Sequence, residues 1–103
     1  MNKQNNISVE QCSFFYHIEV SFIRELETHG LIEIKQIGDQ HFIAYDQLGQ
    51  LEKLMHLFYE LQINMEGLEA INHLVNRVQQ LQGEIKRLQN LLPREVQNIH
   101  KQL

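Results

Sequence analysis

The chain has 103 residues, 43% of them hydrophobic, with nine Lys and Arg against thirteen Asp and Glu for a net charge of −4. That is the length of one domain with an appended helix and the composition of a globular protein. It excludes simple phosphate-driven binding, which needs clustered cations. A single cysteine, Cys12, excludes an internal disulfide and points to a reducing cytoplasm.

No run approaches the roughly 18 apolar residues of a membrane span. The opening MNKQNN has no apolar signal-peptide core, so residues 1–6 read as a flexible tail. Ser8 and Gln11 then have the spacing of a capping box, which predicts a first helix over Val9 to Tyr16 with Cys12 on its inner face. Glu19 is placed to cap a second helix that buries Val20, Ile23 and Leu26 and stops at Gly30. A helix, a glycine turn and two apolar residues, Leu31 and Ile32, are a helix-turn-helix signal. Next, Ile32, Ile34, Phe42 and Ala44 alternate around Gly38 and Asp39, which predicts a β-hairpin wing.

Asp46 is placed to cap a third helix carrying Leu48, Leu51, Leu54, Met55, Phe58 and Leu61. Asn64 caps a fourth through Met65, Leu68 and Ile71. Gly49 and Gly67 weaken these helices, and close packing is one reason to keep them. From Ile71 the pattern becomes strictly heptad, through Leu74, Val78, Leu81, Ile85, Leu88 and Leu92. Flanked by Arg77, Glu84 and Arg87, that row reads as a coiled-coil seam joining two copies of the chain. Pro93 ends it, and Val96, Ile99 and Leu103 then share one side of a short last helix or tail. The predicted organisation is a tail (1–6), a winged helix-turn-helix domain (7–72), a coiled-coil helix (73–92) and a C-terminal piece (93–103). The fold class is mainly α.

Charge is uneven along the chain. Through Glu60 there are four bases against nine acids, net −5; from Leu61 onward there are five against four, net +1. The helix that a winged regulator would lay on DNA thus carries Glu19, Glu25 and Glu27 with Arg24 as its one fixed cation. Arg24 has Glu27 and Thr28 within reach as partners on its own helix. The six histidines, at 17, 29, 41, 56, 73 and 100, have no i, i+3 or i, i+4 pair and no second cysteine beside them, so no metal site is expected. Without a phosphate-cradling glycine loop or a GxSxG, and with only Cys12 near His17 as a nucleophile pair, no enzyme and no cofactor are expected.

The order helix, turn, helix, wing, long helix, short helix, coiled coil resembles the MerR-type winged helix family. "HIEVSFIRELETHGLI" stands where that family has a Gly-Val-Ser start, an Arg-Tyr-Tyr-Glu middle and a Gly-Leu end. "FYELQINMEGLEAI" is similar to its Arg-Glu-Leu-Gly-Phe-Ser-Leu-Glu-Glu-Ile passage. Arg24 matches the family's helix arginine, but Glu25 and Leu26 replace its tyrosines, and Gln40 and His41 replace its wing Tyr-Arg. The chain resembles one branch with these losses, the chaperone modulators (CbpM-like). The likeness covers about residues 7 to 92, through "ISVEQCSFFYHIE", "GLIEI" and "HFIAYDQLGQLEKL".

That resemblance implies a cytoplasmic, non-catalytic regulator that binds the J domain of a DnaJ-like co-chaperone of the CbpA type and inhibits it. A Lys/Arg-rich J-domain helix suits an acidic partner. Glu19, Glu25, Glu27, Glu33 and Asp39 are therefore the candidate binding residues. The alternative is a MerR-family DNA-binding transcriptional regulator, for which the available residues are Arg24, Lys35 and His41, with His29 as a further titratable group.

Overall fold

A computed structural model describes residues 5–93 and divides the chain into two units, Met1–Ala70 and Ile71–Leu103. The first is a winged helix-turn-helix with a small three-stranded antiparallel sheet. Its opening strand β1, Asn6–Ser8, is an element the sequence reading placed in a tail and its boundary. Asn6 faces Ala44 and Ile7 faces Ile43, so the strand lies along one edge of the hairpin. Three residues with no alternation of their own gave no local signal; the long-range pairing makes the strand.

Helix α1, Val9–Tyr16, starts as its capping box demands. The Gln11 N–H donates to Ser8 Oγ at 3.0 Å, and the Ser8 N–H donates back to the Gln11 side chain at 3.5 Å. It ends at His17, in the left-handed region at φ 58°, where Ser13 Oγ donates to the Ile18 carbonyl at 2.5 Å. Helix α2, Val20–Thr28, begins after Glu19, whose side chain makes no capping bond. Its C-terminus closes in a Schellman motif. Gly30, at φ 73°, donates to the Glu27 carbonyl at 2.9 Å, and Leu31 donates to Leu26 at 2.8 Å. Leu26 and Leu31 are both buried, completing the motif's apolar contact.

The wing is shorter than the alternation predicts. Its strands are β2, Lys35–Ile37, and β3, Gln40–Ala44. The two-residue turn between them uses Gly38 at φ 64° as its left-handed residue. Ile32 is core instead of strand and Ile34 precedes β2, where the backbone of Glu33 is taken by a side chain. Gln47 donates to the Glu33 carbonyl at 2.8 Å and accepts its N–H at 2.7 Å. Asp46 is not the cap that the sequence suggested. A 3-10 turn, Tyr45–Gln47, leads into α3, Leu48–Met55, and places Gln47 at the N-cap.

After α3 the helix widens into a π turn, His56–Glu60, which rotates Phe58 and Tyr59 onto Phe22 with ring centroids 4.8 and 5.0 Å away. Helix α4, Met65–Asn90, is capped by Asn64, whose side chain accepts the Gly67 N–H at 2.8 Å. The fourth helix and the segment expected to form a coiled coil are therefore one continuous helix. A Cβ on Gly67 would lie 2.6 Å from Ile63 Cγ2, so packing does require this glycine. Gly49 has no such neighbour within 4 Å.

The core of the first unit gathers Val9 and Cys12 of α1, Phe22, Ile23 and Leu26 of α2, Ile43 of β3, Leu51 and Leu54 of α3, and Met65 and Leu68 of α4. Ile43, fully buried, is the wing residue in the core cluster; Phe42 is buried as the alternation expected, and Ala44 only half-buried. Tyr16 of α1 donates to the Glu52 carboxylate of α3 at 2.7 Å. In the second unit, the row Leu74, Val78, Leu81, Ile85, Leu88 and Leu92 is 40–60% exposed. The short helix expected after Pro93 lies outside the described residues.

Candidate partner-binding surface

Burying Phe22, Ile23 and Leu26 turns Glu19, Ser21, Arg24, Glu25, Glu27 and Thr28 outward. One residue advances about 100° around a helix, so Glu25 and Glu27 lie on opposite flanks of the exposed face. Arg24 stands between them. Glu33 and Asp39 are also exposed, one in the α2–β2 connection and the other at the wing tip. None of the five candidate carboxylates is ion-paired among the described residues. They are exposed and available, spread over α2 and the wing instead of gathered on one helix face.

The intrahelical pairing expected of Arg24 does not form. Its guanidinium has no carboxylate partner among the described residues, and Thr28 Oγ1 donates to its backbone carbonyl at 3.0 Å instead. Lys35 faces Phe42 across the wing and His41 faces Gln36. Directly opposed residues share a face and neighbours alternate. Lys35 and His41 are thus on opposite faces of the hairpin, and the candidate DNA set does not converge.

Titration adds detail at two tyrosines. Burial, with the Glu19 carboxylate nearby, raises the Tyr59 hydroxyl above its ordinary value and places Glu19 beside the Phe22–Phe58–Tyr59 cluster. Burial, the hydrogen bond to Glu52 and that group's charge push Tyr16 up to about 12. Burial also raises the Cys12 thiol, which keeps it protonated and unreactive. Two histidines pair with carboxylates at 2.5 Å, His29 with Glu69 and His56 with Glu60. Among the described residues no group of three or more His, Cys, Asp or Glu could hold a metal ion.

Sequence reasoning missed an exposed aromatic group. Phe14, Phe15 and Tyr45 are 81, 69 and 51% exposed and line one groove. A signal was available. Once Val9, Cys12 and Tyr16 take the inner side of α1, Phe14 and Phe15 can only point outward.

A family model for MerR HTH family regulatory proteins matches residues 7–90. Comparison with curated proteins gives no match, and comparison with solved structures gives none.

Proposed function

The chain belongs to the MerR HTH family of regulatory proteins, and from that premise we propose that it is a non-catalytic regulator of a DnaJ-like, CbpA-type co-chaperone. It binds the J domain and inhibits it by occupancy. The observation that carries this reading is the charge of the exposed surface on α2 and the wing. Glu19, Glu25, Glu27, Glu33 and Asp39 have no ion-pair partner among the described residues, and the available cations do not converge. Such a surface repels a phosphate backbone and attracts a Lys/Arg-rich helix. The DNA-regulator alternative retains Arg24 at the centre of the α2 face.

The seam on α4 belongs to the same proposal. A second copy covers Ile71, Leu74, Val78, Leu81, Ile85, Leu88 and Leu92. Antiparallel pairing would match Ile71 with Leu88, Leu74 with Ile85 and Val78 with Leu81, and it would set Arg77 opposite Glu84 on both sides. Parallel pairing would set those charges against neutral Gln82 and Gln89. Charge complementarity therefore favours the antiparallel dimer.

The test is the J-domain-stimulated ATPase of a DnaK-type chaperone, measured with increasing amounts of the chain. Inhibition that saturates near one J domain per binding site, and that Glu25→Lys or Glu27→Lys relieves, agrees with the proposal. Stimulation left untouched by excess protein would refute it. Because the two acids are on opposite flanks of α2, the variant with the larger effect identifies the flank in contact.

A further inference from the structure

The aromatic groove on α1 is a separate opportunity for binding. It measures about 470 Å³ and is bounded by Phe14, Phe15 and Tyr45, with Glu10 and Gln11 along one side. Glu10 and Gln11 also line a neighbouring groove of about 440 Å³ that reaches Asp39 at the wing tip. The two grooves share Glu10 and Gln11; together, as a furrow, they have aromatic rings on one side of that pair and Asp39 on the other. Among the described residues no base lines either groove.

We propose that this furrow docks a cationic amphipathic helix of another protein, with its apolar residues on the Phe14–Phe15–Tyr45 end and its Lys or Arg side chains along Glu10 and Asp39. Three observations select that occupant. Two adjacent phenylalanines this exposed, beside a half-exposed tyrosine, form an apolar patch of the kind that marks a binding site. Exposed aromatic faces also attract Lys and Arg. The unit carrying the furrow has four bases against eleven acids over residues 1–70, net −7, so the same face of a second copy is repelled while a basic segment is drawn in. The contact geometry is that of a helix laid in a groove, anchored by apolar side chains and steered by its charges.

This goes beyond the α2 reading and shares only Asp39 with it. Its test uses no J domain, so either proposal can fail alone. A short labelled helical peptide of Leu and Lys in amphipathic order is titrated with the full chain and followed by fluorescence anisotropy. Saturable binding is expected, weakened roughly tenfold or more in the Phe14→Ser, Phe15→Ser double variant. Glu10→Lys weakens it too, and this variant decides the matter if the double variant loses its fold. A Leu and Glu peptide of the same pattern should not bind. Equal affinity for the wild type and both variants would place the peptide elsewhere, for instance on the α4 seam, and would overturn the proposal. So would no binding, or a fall in the mass of the chain itself on substituting the two phenylalanines, which would make a second copy the occupant.

Discussion

Two regions of this chain carry the same kind of apolar row with opposite results. In α3, Leu51 and Leu54 recur at helical spacing and are 0 and 3% exposed, covered by α1, α2, β3 and α4 of their own unit. In the second unit, Leu81, Ile85 and Leu88 recur just as regularly and are 42, 53 and 53% exposed. Periodicity tells which side of a helix is apolar. It does not tell whether the chain itself supplies the cover. The first row therefore contributes folding energy, while the second is the one that the proposed dimer would cover.

Substitutions sharpen that difference. Leu51→Ala opens a cavity in a closed core and should cost about 2–5 kcal/mol; at roughly 4–8 °C per kcal/mol for a domain of this size, the thermal midpoint falls by at least ~8 °C. Leu81→Lys should leave the winged unit's near-native circular dichroism intact while removing the proposed dimer from a sedimentation profile. If Leu81→Lys unfolded the winged unit, the division into a self-sufficient head and a partner-seeking helix would be wrong. Glycines sharpen it further. Gly67→Ala pushes a Cβ into Ile63 and should destabilise by about 1–3 kcal/mol. Gly83→Ala meets nothing within 4 Å and should stabilise by about 1 kcal/mol, read in the same melts.

The smallest effect is alkaline. Tyr16 titrates near 10 when unfolded and about 12 when folded. A folded value above the unfolded one means stability that is complete below pH ~10 and is lost as pH rises toward ~12. Solvent around the hydroxyl screens the interaction, so the loss should stay under ~1 kcal/mol. Tyr16→Phe removes that part of the pH dependence while the lysines titrate equally in both proteins. Identical slopes in the two proteins would argue against the Tyr16–Glu52 bond as its source.

Much of the fold was legible because its signals are local. The Ser8–Gln11 box, the Gly30 stop and the Asn64 cap each fix a helix end through bonds spanning three to five residues. What stayed hidden depends on distant partners. Strand β1 exists only beside β3, the wing loses Ile32 because Gln47 holds Glu33, and the π turn at His56 serves a stack on Phe22. The candidate acids were legible as a count, since four bases against nine acids needs no structure. Their division between two flanks of α2 was equally implicit in the two-residue spacing of Glu25 and Glu27, but only the burial of Leu26 shows which flank is which. The outward turn of Phe14 and Phe15 was implicit in the pattern of α1, but their meeting with Tyr45, some 30 residues on, depends on the tertiary fold.

The central claim is that a winged unit of this charge recognises a basic protein helix in place of DNA. Its most direct test is calorimetric titration of the full chain, side by side at low salt, with the J domain of its own organism's DnaJ-like co-chaperone and with a mixed-sequence DNA duplex. Low salt gives electrostatic attraction its longest reach for both ligands. The account predicts saturable heat with the J domain and none with the duplex. Heat with the duplex alone, falling steeply as salt is added, would contradict it.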